Sequence, residues 1–213
     1  MKLIKKLIVL AGLLLAGTAQ ATYLPVGVQT NVSFSTVSNW GWTQCYSDNG
    51  GGGVSLASVL GACSGNYLML ADFIPGQTNY TVLAAAARAD VLFNTGMQSS
   101  YGSDVTHTAN GAEWYFNDSW SWGFTELGAK VELNSCDVNL LPSNGNHKGS
   151  CWHTGGGQLN AGWAINNGTF QATGTRVILM ADSIDGNVPE PGTLALAALG
   201  LLAAVRVRSR KSV

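Results

Sequence analysis

The sequence predicts a mainly β protein: a single β-sandwich domain of jelly-roll-like form with two disulfides, flanked by a signal peptide and a C-terminal membrane-sorting helix. Three observations carry that prediction. Glycine-rich turn signals recur along the middle of the chain, at Asp48–Gly53, Pro75-Gly76, Asn110-Gly111, Ser143–Asn146, Gly155–Gly157 and Asn167-Gly168. Apolar runs of strand length lie between them, at the roughly 8–12-residue spacing typical of sandwiches and barrels. Four cysteines, an even number, all fall in the same stretch: Cys45, Cys63, Cys136 and Cys151.

Residues 1–21 read as a secretory signal peptide. Lys2, Lys5 and Lys6 give the positive start, Leu7–Ala16 the apolar stretch, and Ala19-Gln20-Ala21 the small-residue cleavage pattern, so the mature chain is expected to begin at Thr22. The apolar stretch is shorter than the roughly 20 residues of a membrane span.

Residues 22–186 read as one β-rich domain. The strand expectations are Val26–Val37, Val54–Leu60, Tyr67–Ile74, Glu113–Phe116, Trp120–Phe124, Ala129–Leu133, Gly162–Ile165 and Arg176–Ala181. Thr81–Phe93 is the exception. Its Ala84–Ala87 core favours a helix, with a buried strand as the alternative for so short an apolar run. The cysteines allow three pairings. The local one, Cys45–Cys63 and Cys136–Cys151, is expected, because each bridge closes a glycine-rich loop in an oxidising compartment, worth roughly 3 kcal/mol in the chain-entropy account. A zinc site using Cys151 with His147 and His153 is the alternative; no CxxC pair supports it.

Composition sets outer limits. With 46% hydrophobic residues in 213, the chain can build a core, so wholesale disorder is excluded. The net charge of −1 conceals an asymmetry: residues 22–186 hold four basic side chains (Arg88, Lys130, Lys148, Arg176) against eleven acidic ones. A nucleic-acid partner is therefore not expected, since phosphate neutralisation requires clustered Lys and Arg.

Residues 187–213 form a second tripartite segment. Val188-Pro189-Glu190-Pro191-Gly192-Thr193 comes first, then the apolar run Leu194–Val205, then a basic end with Arg206, Arg208, Arg210 and Lys211. The two prolines hold the backbone out of helix, a form suited to a processing enzyme. At about 1.5 Å per residue the apolar helix falls short of a bilayer's ~30 Å, which suits a transient hold during sorting more than a permanent anchor. The basic end stays cytoplasmic by the positive-inside rule.

These tail residues closely resemble the PEP-CTERM sorting signal of Gram-negative bacteria, with Val207 and Ser209 interrupting the usual arginine run. The resemblance implies export, processing by signal peptidase and then by an exosortase, and a context of exopolysaccharide and biofilm production. It supplies an address and no chemistry. In the middle, Tyr67–Ala71, Ala87–Phe93, Trp114–Phe124 and Cys151–Thr154 resemble stretches of other PEP-CTERM proteins, and no site residues follow from them.

Candidate chemistry is sparse. Gly53-Val54-Ser55-Leu56-Ala57 is the nearest approach to a nucleophile elbow, and it lacks the second glycine. His107, His147 and His153 are bases without an evident Ser or Cys partner. Glu113, Asp118, Glu126 and Glu132 cluster with Trp114, Trp120 and Trp122, the residue types that glycoside hydrolysis uses. Asp48, Asn49, Asp182, Asp185 and Asn187 offer oxygen ligands for a structural calcium ion, but without an EF-hand loop they read first as turn formers, and no other cofactor or metal is expected. Trp40-Gly41-Trp42 and Trp120-Ser121-Trp122 have the i, i+2 spacing that puts both rings of a pair on one face of a strand, where they make a candidate sugar platform.

The function expected from these readings is a non-catalytic, polysaccharide-contacting β module at the cell surface or in the extracellular matrix. A carbohydrate-active enzyme using carboxylates in residues 113–132, and a purely structural matrix protein, are the alternatives.

Overall fold

Two serines decide where the first two expected strands stop. Strand β1 (Gln29–Ser33) ends where Ser33 Oγ accepts the Thr36 amide at 3.0 Å, capping helix α1 (Phe34–Asn39). The pattern repeats after β2 (Thr43–Asp48): β3 (Val54–Ser55) is cut short because Ser55 Oγ accepts the Ser58 amide at 3.3 Å and opens α2 (Leu56–Ala62). Runs read as strands thus turn helical, since a serine at the N-cap satisfies one orphan donor of the first turn. The computed structural model describes residues 22–97, 106–129, 131–132, 137–138, 148–166, 169–171 and 174–184.

Strands β4 (Tyr67–Phe73) and β5 (Asn79–Ala87) follow, with α3 (Arg88–Val91) directly after. The helix expected over Thr81–Phe93 is therefore mostly strand. Leu83 pairs with Gln29 on one side and Ala71 on the other, so β5 is an interior strand. The alanines are retained there for their size, as the core shows. Next come β6 (His107–Ala109), β7 (Ala112–Phe116) and β8 (Ser121–Glu126), then the short pair β9 (Val131–Glu132) and β10 (Asp137–Val138). The series closes with β11 (Gly149–Gly155), β12 (Gln158–Asn166), β13 (Thr169–Gln171) and β14 (Thr175–Ala181). Asn110-Gly111 makes the two-residue β6–β7 hairpin, with φ of 46° and 76° as a type I′ turn demands.

Among the described residues there are two large sheets. One has five strands in the order β1-β5-β4-β14-β2; the other runs β13-β12-β11-β8-β7-β6, with β3 added against β12. They meet in a shared core. Leu68, Leu70, Val82, Ala84, Ala86 and Ile178 of the first sheet pack with Trp114, Trp122, Phe124, Trp152 and Leu159 of the second. Small side chains on one sheet make room for indoles on the other, which keeps the interior close-packed. The jelly-roll expectation is corrected: a jelly roll is two Greek keys, whereas the second sheet is a meander whose six strands pair antiparallel in chain order. The five-stranded sheet is covered on its other face as well. There Met69, Ala71, Leu83, Ala85, Val177 and Leu179 pack beneath Val37 of α1 and Trp42.

Cys45 of β2 and Cys63 at the end of α2 form a disulfide, with Cα atoms 5.2 Å apart. Among the described residues this is one bridge rather than two. Cys151 is buried and is not a free thiol, and Cys136, its expected partner, lies outside the described residues.

Candidate functional site

A row of three charged side chains crosses the five-stranded sheet on the face turned to the second sheet. Register places Arg176 of β14 opposite Asp48 of β2 and opposite Asp72 of β4. Arg176 is only 1% exposed. Its Nε donates to Asp48 Oδ1 at 2.6 Å and its Nη2 to Asp48 Oδ2 at 2.7 Å, a bidentate pair. The same guanidinium crosses to the second sheet, donating to the Asn160 and Leu159 carbonyls and lying 6.0 Å from the Trp152 ring centre. Asp72 accepts from Ser150 Oγ and, at 3.4 Å, from Trp152 Nε1, so it also ties the sheets together.

The electrostatics of the two acids diverge. Burial pushes Asp72 up to about 6, against the pull of Ser150, Trp152 and Arg176. Burial works the same way on Asp48, but hydrogen bonds from Arg176, Tyr46 and the Gly50 amide outweigh it and hold its carboxyl below the usual range. Tyr46 donates its hydroxyl to Asp48 Oδ2, and burial together with that carboxylate raises it to about 12. Every Arg176 nitrogen is committed to an internal acceptor, so the cluster works as an inter-sheet clasp closed to substrate. It was missed in the sequence, although a lone charge inside an apolar strand, as in Tyr67–Phe73 or Thr175–Ala181, is a signal of a buried pair.

Of the carboxylates considered for sugar hydrolysis, Glu113 and Glu126 do not converge. Glu113 is buried, its Oε2 accepting from Thr108 Oγ1 at 2.8 Å and its Oε1 from the Gly128 amide at 3.3 Å. Glu126 pairs with Lys148 Nζ at 3.3 Å. Since Glu113 lies opposite Thr125 and Glu126 opposite Ala112, the two acids stand on opposite faces of the sheet. Asp118 is exposed and accepts from Ser119 Oγ; the Glu132 side chain lies outside the described residues. Ser55 is spent as an N-cap. His107 Nε2 lies 2.7 Å from Asp90 Oδ1, with its ring stacked 4.3 Å from that of Phe93. Burial lowers the His153 pKa, and His147 lies outside the described residues.

The tryptophan pairs are not two-ring platforms. Trp40 ends α1 and Trp42 follows a turn at Gly41, so neither stands in a strand. Trp42 is buried, with Nε1 donating to the Tyr23 carbonyl at 2.8 Å, while half-buried Trp40 packs 5.1 Å from the Tyr23 ring. Trp122 is fully buried against Phe116 and Trp152. Trp120 alone of its pair keeps exposure. It sits at the head of β8, its ring 6.1 Å from that of Tyr115 and its amide bound to Thr154 Oγ1 at 3.0 Å. Exposed Asn94, Asp118 and Ser119 share this end of the sheet: Asn117 Nδ2 donates to Asn94 Oδ1 at 3.1 Å, and Asn117 Oδ1 accepts the Ser119 amide at 2.9 Å.

Of the calcium candidates, Asp48 is bound to Arg176, Asn49 closes its own turn by accepting the Gly51 amide, and Asp185 and Asn187 lie outside the described residues. Among the described residues no three His, Cys, Asp or Glu side chains group as a metal site, and no helix is long and apolar enough to cross a membrane. The sorting motif Val188–Thr193, the apolar run 194–205 and the basic end Arg206, Arg208, Arg210 and Lys211 also lie outside the described residues.

Residues 187–211 match a family model described as the PEP-CTERM protein-sorting motif. The chain therefore carries the signal of an exosortase substrate, and that signal marks it for export and sorting to the cell envelope or surface. No curated protein and no solved structure matches the chain.

Proposed function

We propose that this exosortase substrate is a non-catalytic surface module that touches exopolysaccharide through the end of the six-stranded sheet where Trp120 stands. The observation behind the reading is the half-buried Trp120 indole at a turn whose exposed neighbours, Asn94, Asp118 and Ser119, carry hydrogen-bonding groups suited to hydroxyls. An aromatic ring beside such groups is the arrangement that stacks on a sugar face. A non-catalytic role is supported by the commitment of the charged groups: Glu113, Glu126, Asp72 and Arg176 are all engaged internally, and Glu113 and Glu126 face opposite ways. In this reading the chain crosses the inner membrane of a Gram-negative cell, loses its signal peptide and then its tail, and works at the surface or in the biofilm matrix.

A glycan array probed with the surface-released protein tests it. Trp120→Ala is expected to weaken polysaccharide binding by about 1–3 kcal/mol, the scale borrowed from base stacking, with a small change in melting temperature. Trp122→Ala is expected to unfold the domain by about 3–5 kcal/mol. Polysaccharide turnover that disappears in Glu126→Gln would make the protein an enzyme and overturn the reading. Unchanged binding by Trp120→Ala removes this surface from it.

A further inference from the structure

The face of the five-stranded sheet turned away from the second sheet is built without charge. Residues 22–47, 73–87 and 177–181, which supply the N-terminal segment, α1, β1, β5 and most of β14, contain no Asp, Glu, Lys or Arg. The domain as a whole is acidic, so this face stands apart. Aromatic side chains crowd its surface. Tyr23, 39% exposed, packs on Trp40; Phe34 lies 5.0 Å from Phe73 and 4.7 Å from Tyr80; Ile74, which follows Phe73 at the end of β4, is 38% exposed. Both ends of the described domain also sit on it. Leu24 and Ile184 pack against the same apolar cluster, the Tyr23 amide donates to the Trp40 carbonyl at 2.9 Å, and Asn66 Nδ2 donates to the Asp182 carbonyl at 2.8 Å. The apolar run of the sorting signal begins at Leu194, ten residues beyond Ile184, so at about 3.5 Å per residue that stretch can span at most roughly 35 Å.

We infer that this charge-free aromatic face is a bilayer-resting surface, lying against the lipid headgroups while the chain waits at the membrane for removal of its tail. The inference rests on reading residues 194–205 as the membrane-held segment of the sorting signal. The described chain ends at Ile184 on the face named, within one chain's reach of that segment. Trp and Tyr favour the headgroup layer, where an apolar ring and a polar edge are both satisfied. Charged side chains are costly there, and residues 22–47, 73–87 and 177–181 carry none; exposed Asp182, where the described chain ends, is the exception. Individually weak contacts suffice, because the tail supplies the anchoring and the face only sets orientation.

The test uses the full chain with vesicles of phosphatidylethanolamine and phosphatidylglycerol that carry brominated acyl chains, which quench tryptophan at the interface. In wild type a fraction of the emission is expected to be quenched and shielded from acrylamide. Trp40→Phe is expected to lose most of that quenched fraction, and Trp120→Phe to keep it. Tyr23→Glu with Ile74→Glu is expected to leave the chain vesicle-bound but restore acrylamide access to Trp40. Vesicle-bound protein in which Trp40→Phe changes nothing, or in which Trp120→Phe removes the quenching instead, overturns the surface and leaves the tail reading standing. A chain that stays in solution overturns both.

Discussion

Asp48 and Asp72 flank one arginine in a single cross-strand row, yet only Asp48 bonds it. Asp72 turns instead to Ser150 and Trp152 on the opposite sheet. Two carboxyls on either side of the same guanidinium therefore carry opposite proton affinities, one held down by a bidentate partner and one pushed up by burial.

Arg176→Met is expected to destabilise the domain by about 3–5 kcal/mol, because it strands the Asp48 carboxylate. The Asn160 and Leu159 carbonyls lose their donor at the same time. Urea denaturation measures it. Pairing the change with Asp48→Asn should recover part of the loss, giving a non-additive double-mutant cycle. A loss under about 1 kcal/mol for the single change would show that the clasp contributes little.

The pH dependence has two windows of opposite sign. The folded pKa of Asp72, about 6, exceeds its ordinary 3.8, so the folded state binds its proton more tightly and stability falls as pH rises from about 4 to 6. Asp48 is depressed, so its contribution is present above 3.8 and fades as pH falls through its lower folded value. Asp72→Asn should flatten the denaturation midpoint between pH 4 and 6, while Asp48→Asn should lower stability at neutral pH and converge with wild type in strong acid. An unchanged slope in Asp72→Asn counts against a buried, proton-holding Asp72.

Reducing Cys45–Cys63 should cost roughly 3 kcal/mol, the scale for a closed loop of about 15 residues. Its separation of 18 residues lies close to that. Non-reducing peptide mapping of surface protein should recover this link and a second one between Cys136 and Cys151. Finding Cys136 as a free thiol would sink the second pairing.

Sorting should fail in two distinguishable ways. Replacing Pro189 and Pro191 with Ala lets helix extend back through the motif, so precursor should accumulate with residues 194–213 attached. Deleting residues 206–213 removes the positive end, and unprocessed chain should slip into the periplasm. Mass spectrometry reads both, and tail peptides found on wild-type surface protein would refute processing.

The sequence was most readable where local chemistry decides structure. Asn110-Gly111 formed the expected turn, and the Cys45–Cys63 bridge closed the expected loop. Legibility failed where distant neighbours decide. Ala84 and Ala86 favour helix in isolation, but opposite Trp114, Trp122 and Trp152 their small volume fits an interior strand. Ser33 and Ser55 carry the reverse error, since a cap ended a run expected to be strand. Trp122 could not be assigned to core or surface from its spacing, because both faces of a strand share the period; the T-shaped contact with Trp152 assigns it to the core. The Arg176 clasp depended on partners far apart in sequence, which no local window contains.

Strand β14 is the last strand among the described residues, yet it lies between β4 and β2. Until it arrives, β2 has no ladder in that sheet, and the Asp48 carboxylate waits for a guanidinium 128 residues downstream. Such long loops make closure slow, because their entropy is lost before the contacts form. Strands β1, β5 and β4 can pair among themselves beforehand, so the strand left waiting is β2. The five-stranded sheet therefore gains its edge strand β2 only after Thr175–Ala181, just ahead of the sorting motif at residues 187–211, has been made.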